Sequence, residues 1–413
     1  VHVIILAAGR GTRMRPLSDA MPKPLLPVAN RPIVTRVADA AVEAGADRLS
    51  IVVGYRHELI VDALGSSHRG CPIEYAIQER RDGTAAAVET AIDHVEGPFA
   101  VLNGDNVYDP ASLEKLFAAA PAVGTTEVEN PESYGVVSTN GDRVTGVVEK
   151  PVDPPSNLVT TGAYAFPAVA SALLDVGPSE RGERELTDVV RRLVDDWPVT
   201  TVPIDRWADV GHPWDLLAVT ETLLGDVERR IDGTVHDDAT VEGRVVVEAG
   251  AEIGPGVAIE GPVIVGQDAA VGPNAYLRPG TVLGTGASVG HSVEVKNSVL
   301  MADAAANHLA YVGDSVVGPD ANLGAGTITA NLRHDERPVL AGADAEPTGR
   351  RKFGAVIGPA AKTGIDTCLD PGAVVPADGR TRPGQTIARD AFELDPVEVA
   401  PPVETQTTPR VDR

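Results

Sequence analysis

Ile253-Gly254-Pro255-Gly256-Val257-Ala258-Ile259-Glu260-Gly261-Pro262-Val263-Ile264-Val265-Gly266-Gln267-Asp268-Ala269-Ala270-Val271-Gly272 repeats a pattern every six residues. An aliphatic side chain recurs at Ile253, Ile259, Val265 and Val271. The same spacing runs outward to Val235, Val241 and Val247 on one side, and to Leu277, Leu283, Val289, Val295 and Met301 on the other. Glycine follows that position in Ile253-Gly254, Val265-Gly266, Val271-Gly272, Leu283-Gly284 and Val289-Gly290, where the chain needs tight corners free of a Cβ. Such hexapeptide repeats mean a parallel β-helix, whose units bury their apolar sides only by stacking. The period resumes at Val317-Gly318, Leu323-Gly324 and Thr329, and again at Ile357-Gly358, Thr363-Gly364, Leu369 and Val375. Between them, residues 332–352 are polar and read as a loop thrown out of the coil. His308 breaks the register just after Met301, where a purely structural coil would place an aliphatic residue near position 307.

Upstream of the repeat the pattern is different. The first 225 or so residues alternate β-branched runs with amphipathic stretches, the order of an α/β domain with a largely parallel sheet. The spacing predicts strands over 1–6, 49–53, 99–103, 122–128, 134–138, 144–148, 160–166 and 199–204. It predicts helices over 32–44, 84–94, 111–119, 185–195 and 213–229. The domains expected are 1–228 and 229–389. From about 390 to 413 the tail is rich in Pro, Thr and Glu, lacks periodicity and reads as disordered.

Composition narrows the function classes. A net charge of −24 over 413 residues repels a phosphate backbone, so nucleic-acid binding is disfavoured. No stretch of about 18 apolar residues exists, and the first residues form a strand-like run without a charged leader, so neither membrane spanning nor export is expected. Cys71 and Cys368 are too far apart in sequence to suggest a metal site or a disulfide framework. These readings place the protein in the cytoplasm. Lysine occurs only at Lys23, Lys115, Lys150, Lys296, Lys352 and Lys362; arginine supplies the rest of the 35 basic residues. The acidic excess and this skew point to a halophile, because carboxylate self-repulsion is screened at molar salt, where the Debye length is about 3 Å.

The strand-like opening runs into Leu6-Ala7-Ala8-Gly9-Arg10-Gly11-Thr12-Arg13-Met14. Nucleotidyl transfer requires a protein to hold a polyanionic triphosphate and place an attacking phosphate oxygen in line with the α-phosphorus. A glycine-rich turn whose amides face the phosphates, with Arg13 and Lys23 adding positive charge, meets that need. Met14 stands where a dinucleotide fingerprint would need its third glycine, and the Gly-Lys-Ser/Thr of a Walker A loop is absent. On spacing alone, a phosphate cradle and an unliganded strand-to-helix turn both remain open.

With its neighbours the segment resembles the sugar-1-phosphate nucleotidylyltransferases. The likeness rests on Leu6 to Met14, Pro22-Lys23-Pro24-Leu25, Gln78, Gly83-Thr84, Asn103-Gly104-Asp105, Tyr134-Gly135-Val136-Val137, Glu149-Lys150-Pro151, Thr161-Gly162 and Trp207-Ala208-Asp209-Val210-Gly211, all in the family's order. The resemblance implies Arg13 and Lys23 as catalytic residues. It implies Leu6, Ala7, Ala8, Gly9, Gly11, Thr12, Gln78, Gly83 and Thr84 at the nucleotide, and Gly135, Glu149, Lys150 and Thr161 at the sugar phosphate. Asp105 and Asp209 are the pair assigned to Mg²⁺, as hard oxygen ligands suit that ion. Thr161 stands where bacterial bifunctional enzymes carry Asn, which leaves UTP and dTTP both open.

The repeat region has its own resemblance. Arg278-Pro279-Gly280, Val293-Glu294-Val295-Lys296-Asn297, Asn307-His308-Leu309-Ala310-Tyr311-Val312-Gly313-Asp314 and Asn322 to Asn331 look like the acetyltransferase half of the bifunctional glucosamine-1-phosphate acetyltransferase/N-acetylglucosamine-1-phosphate uridylyltransferase family in its archaeal form. The resemblance implies a Rossmann-like α/β nucleotidyltransferase domain followed by a left-handed parallel β-helix, acetyl-CoA as co-substrate, and a homotrimer with acetyl sites between subunits. It implies His308 as the base that takes the ammonium proton, a step suited to a neutral imidazole near pH 7. Arg278 and Lys296 are matched to the sugar's phosphate, and Tyr311, Asn322 and Asn331 to the sugar. Two departures stand out: Ile365 replaces a serine that relatives place near the thioester, and the tail has no recognisable coenzyme A clamp. The competing reading is a monofunctional thymidylyl- or uridylyltransferase of glucose 1-phosphate carrying an inert β-helix.

Overall fold

A computed structural model describes residues 1–80, 82–179 and 181–389, and the chain divides into two compact units between Glu228 and Arg229. The tail predicted over 390–413 lies outside the described residues.

The N-terminal unit is built on a ten-stranded sheet. Strand His2–Ala7 lies at its centre, parallel to Arg48–Val53 on one side and to Phe99–Asn103 on the other. Val3, Ile4 and Ile5 have no exposed surface, the unbroken apolar pattern of a strand covered on both faces. Leu158–Phe166 then pairs antiparallel with both Phe99–Asn103 and Ala122–Glu127, and the hairpin Gly135–Asn140/Arg143–Glu149 extends that half of the sheet. Helices Ile33–Glu43, Thr84–Ala91, Pro110–Ala118, Leu186–Asp196 and Asp215–Leu224 flank the sheet.

Two elements were not legible in the sequence. Strand Cys71–Ile77, parallel to Arg48–Val53, contains Pro72 and alternates buried with exposed residues at an outer position. Helix His57–Leu64 is only eight residues long, too short to print a periodic stripe.

In the C-terminal unit, residues 229–389 form a left-handed parallel β-helix of three sheets with eight, six and eight strands. Each strand is two to four residues long. Inward side chains such as Val247, Val265, Leu283 and Val289 stack into one apolar column that excludes water over the length of the coil.

The register departs from a strict six-residue spacing between Val295 and Val317. Coils are eighteen residues long where Val247 pairs with Val265 and Val265 with Leu283, but Leu283 pairs with Leu300, and Leu300 with Val317. These coils are seventeen residues long. Two corners are each one residue shorter, Val295 to Leu300 and Val312 to Val317; Ser298 sits in the first, its buried hydroxyl donating to the carbonyls of Lys296 and Val312 at 2.8 and 3.3 Å, and Ser315 in the second, donating to the Gly313 carbonyl at 2.7 Å. The inward positions are therefore Leu300, Ala306 and Val312, and Met301 lies at a corner beside Gly284. His308 thus does not break the register; the shortened coil turns it outward. Residues 332–352 leave the coil as expected, but fold into a hairpin of Leu340–Ala341 against Glu346–Pro347, with Val339 buried beneath.

Candidate active sites

Two adjoining cavities open at the carboxyl ends of the parallel strands. The smaller, of about 200 Å³, is lined by Leu6, Ala7, Gly9, Gly11, Thr12, Arg13, Lys23, Asp105 and Gly211. Gly11 sits at φ +64°, and a Cβ there would lie 2.5 Å from Cβ of Lys23, so only glycine lets the loop close over that lysine. Ser18 ties the loop down, its hydroxyl donating to the Gly11 carbonyl at 2.8 Å.

Lys23 is buried, with its Nζ 2.6 Å from Asp105 and 3.9 Å from Asp209. The two carboxylates are brought together by a short antiparallel pairing that sets Asp209 against Asn106, next to Asp105. Burial pushes the Asp209 carboxyl up to about 6, with Asp105 and Asp215 adding repulsion that Lys23 opposes. A cation between the two carboxylates would relieve that strain. Two adjacent carboxylates are a hard oxygen donor set, suited to an ion that takes one or two carboxylates and completes its shell with water and phosphate.

The larger cavity, of about 230 Å³, adjoins the first through Arg13, Asp105 and Asp209. Its wall includes Gly135, Glu149, Lys150 and Thr161, the four residues matched to the sugar phosphate. Gly135 and Glu149 are register partners across one hairpin, and Lys150 donates its amide to the Tyr134 carbonyl at 2.9 Å. Asn106, Tyr108 and Trp207 all donate to the carbonyl of Thr161 at 3.0 Å, which fixes that strand against the Asp105 segment.

Several residues of this cavity were missed in the sequence. Arg181, Glu183, Glu185 and Thr187 enter from the segment that leads into helix Leu186–Asp196 and read there as an ordinary charged helix start. Thr161 Oγ1, Glu185 Oε1 and Thr187 Oγ1 are buried without a hydrogen-bond partner. Such atoms are rare in folded proteins, and these three belong to residues that line one cavity. Burial and the nearby carboxylates Glu149 and Glu183 push the Glu185 carboxyl up to about 7. Thr84 lines the larger cavity and accepts a hydrogen bond from the Leu186 amide at 2.9 Å. Gln78 and Gly83 are joined by a bond from Gln78 Nε2 to the Gly83 carbonyl at 3.3 Å. Ala8 is buried where Gly54 crosses it.

The β-helix carries a second cluster. Asp314 is buried and accepts from Lys296 Nζ at 2.8 Å, Asn297 Nδ2 at 2.8 Å and Asn331 Nδ2 at 2.6 Å. Asn331 also donates to the Tyr311 hydroxyl at 3.2 Å. Gly313 makes this possible, because a Cβ there would lie 2.5 Å from the Tyr311 hydroxyl and 2.8 Å from Asn331 Nδ2. Arg278 shares the column of Lys296 and pairs with Glu294 at 2.8 Å. His308, itself exposed, ends a strand two residues before that of Tyr311. Asn322 belongs to the sheet of His308, on the adjoining strand, rather than to that of Tyr311.

The chain matches the nucleotidyl transferase family model over residues 2–225, and the GMPPB C-terminal domain model over residues 259–378. The solved UDP-glucose pyrophosphorylase in complex with UDP-glucose superposes on 54% of this chain and 98% of its own, with a TM-score of 0.50 and 24% identity, a likeness of fold. Fold and site together thus define a nucleotidyltransferase unit followed by a hexapeptide β-helix. Over nearly the whole length, the chain is 38% identical to the bifunctional protein GlmU of Methanococcus maripaludis, covering 94% of this chain and 95% of that one. It is 36% identical to the bifunctional sugar-1-phosphate nucleotidylyltransferase/acetyltransferase of Sulfurisphaera tokodaii, covering 94% and 98%. The chain belongs to this family of bifunctional sugar-1-phosphate nucleotidylyltransferase/acetyltransferases. No helix among the described residues is long and apolar enough to cross a membrane.

Proposed function

We propose that the chain acetylates an amino-sugar 1-phosphate, glucosamine 1-phosphate or an epimer, with acetyl-CoA and then joins the product to a uridylyl group from UTP, releasing pyrophosphate. The observation that carries the reading is the Lys23–Asp105–Asp209 constellation between a glycine-rich loop and a cavity lined with orphaned polar atoms.

In the N-terminal unit, the loop amides from Ala7 to Thr12 and the Arg13 side chain receive the triphosphate, and Gln78 and Gly83 face the base. Asp105 and Asp209 are suited to hold Mg²⁺, which when bound neutralises charge around the α-phosphate. Lys23 keeps those two carboxylates apart and ionised in a buried setting. Gly135, Glu149, Lys150 and Thr161 position the sugar phosphate, whose oxygen attacks the α-phosphorus as the bond to the pyrophosphate oxygen breaks.

In the β-helix, Arg278 and Lys296 offer charge to the sugar's phosphate, and Tyr311 and Asn331 offer hydrogen bonds to the sugar. His308 removes the ammonium proton so that nitrogen attacks the thioester carbonyl and the coenzyme A thiolate departs. Asn322 lies on the strand paired with that of His308 and joins it at the acetyl site, which a neighbouring copy in a trimer completes. A cytoplasmic, salt-rich setting fits the charge of −24.

The test uses one preparation and two readouts: thiol release from acetyl-CoA with glucosamine 1-phosphate, and pyrophosphate release with UTP against dTTP. His308→Ala loses the first and keeps the second. Full thiol release by that variant would remove His308 from the reaction, and no thiol release by the native chain would reduce the β-helix to a scaffold.

A further inference from the structure

The sheet that carries His308 continues past its last regular strand. Asn322, on the strand adjoining that of His308, bridges in parallel to Lys362, and Lys362 bridges in parallel to Arg380. Register partners on parallel strands lie about 4.8 Å apart and face the same side of the sheet. Asn322, Lys362 and Arg380 therefore form one outward ladder, and all three are exposed. Like charges opposite one another on neighbouring strands repel, so Lys362 and Arg380 make a poor scaffold pair. Among the described residues neither has an ion-pair or side-chain hydrogen-bond partner, although Asp320 and Asp378 stand at the corner just before them. In a chain of net charge −24 with only six lysines, two unneutralised cations in register are an exception.

A second column runs beside the ladder. The Gly326 amide donates to the His308 carbonyl at 3.1 Å, the Asp366 amide to that of Ala325 at 2.7 Å and the Gly384 amide to that of Ile365 at 2.8 Å. These bonds stack His308, Ala325 and Ile365 coil upon coil, and Ile365 is 55% exposed. Gly324 and Gly364 separate ladder from column. A Cβ on Gly324 would sit 2.6 Å from the carbonyl carbon of Gly364, and one on Gly364 2.6 Å from that of Arg382, so no side chain rises between them. The result is a channel that starts at His308, has an apolar flank at Ile365 and ends on two cations.

We infer that this channel takes acetyl-CoA, with Lys362 and Arg380 holding the diphosphate of its nucleotide and Ile365 against the pantetheine arm. This rests on the acetyl-transfer reading with His308 as the base. About thirteen bonds separate the thioester sulfur from the first phosphorus, about 15 Å when extended like a peptide backbone. Lys362 lies two coils and three strand positions from His308, and Arg380 one coil further, which puts their Cα atoms about 14 and 17 Å away. The arm thus spans the distance from the base to the cations. The two positive charges also offset, at this place, the repulsion that an acidic surface exerts on a polyphosphate.

The experiment compares the full native chain with Lys362→Gln, Arg380→Gln and Lys362→Arg. Calorimetry measures the Kd of coenzyme A, and thiol release with glucosamine 1-phosphate is followed from acetyl-CoA and from S-acetylpantetheine, which lacks the phosphates. Each Gln variant weakens coenzyme A by about tenfold, the scale of one charge-assisted hydrogen bond, while Lys362→Arg stays near native. In thiol release the Gln variants raise KM for acetyl-CoA and keep kcat within about twofold of native, which also reports an intact β-helix. Their kcat/KM for S-acetylpantetheine and their KM for glucosamine 1-phosphate match the native values. Native affinity for coenzyme A in both Gln variants, or an equal loss with acetyl-CoA and S-acetylpantetheine, overturns the inference. A rise in KM for glucosamine 1-phosphate alone would assign the ladder to the sugar phosphate and overturn it too. If the native chain neither binds coenzyme A nor releases thiol, the acetyl-transfer reading itself fails; if it does both and the variants equal it, only the ladder falls.

Discussion

Replacing Lys23 by Met removes the ammonium that pairs with Asp105 and Asp209 while keeping an unbranched chain of similar length. Lys23 is 8% exposed at its side chain, against 33% for Asp105 and 22% for Asp209. Breaking a fully buried ion pair costs about 3–5 kcal/mol, because the remaining charge stays desolvated and unpaired. Partial access of water to Asp105 and the ease with which Asp209 takes up a proton reduce this to about 2–3 kcal/mol near pH 7. Urea unfolding of the native chain, Lys23→Met and Lys23→Met/Asp105→Asn measures it. The single variant loses about 2–3 kcal/mol and the double variant regains most of it, because one uncompensated carboxylate is gone. The same single variant shows a larger rise in thermal midpoint on adding Mg²⁺ than the native chain, since the cation takes the place of the lysine, yet its pyrophosphate release falls at least about a thousandfold. Native stability in Lys23→Met, or no recovery in the double variant, would refute the buried-pair reasoning.

Four further outcomes follow from the same structure and composition. With its carboxyl near 6 in the free protein, Asp209 is protonated below that pH, so pyrophosphate release at low Mg²⁺ falls on acidification through pH 6, and raising Mg²⁺ moves that midpoint down as metal competes with proton. The stability contribution has the opposite sense: because the folded carboxyl lies above its unfolded value, Asp209 favours folding at low pH and the free protein loses stability as pH rises from about 4 to 6, a loss that Asp209→Asn abolishes in urea unfolding across that range. Gly313→Ala pushes Tyr311 and Asn331 apart and raises KM for the amino-sugar phosphate in thiol release by about tenfold or more, with pyrophosphate release unchanged. The urea midpoint of the native chain rises steeply from dilute buffer to molar KCl, as screening of a net −24 requires; equal midpoints would remove the halophilic reading.

What the sequence disclosed and what it hid follow from how far each signal reaches. The central strands were legible because full burial on both faces leaves an uninterrupted apolar run, as at Val3-Ile4-Ile5. Strand Cys71–Ile77 was hidden because an outer strand with Pro72 has no such run. The six-residue period identified the β-helix, yet could not foresee the slips at Ser298 and Ser315, since a serine hydroxyl bonded to backbone carbonyls leaves no trace in hydrophobic spacing. In the active-site cavity, the residues matched by motif all lie on strand ends or hairpins, whereas Arg181, Glu185 and Thr187 come from a charged lead-in to a helix and acquire their setting only through tertiary packing. Thr84 shows the same limit: its bond to the Leu186 amide joins segments 102 residues apart, a contact that no local spacing announces.

The most direct test of the two-site account is the product formed when the native chain in high salt with Mg²⁺ receives only glucosamine 1-phosphate, acetyl-CoA and UTP. Mass spectrometry should find a UDP-N-acetylhexosamine, with thiol and pyrophosphate released in equal amounts, and His308→Ala should form that product only when N-acetylglucosamine 1-phosphate is supplied ready-made. Acetylated product from His308→Ala without that supplement, or pyrophosphate release by the native chain without any acetylated product, would contradict it.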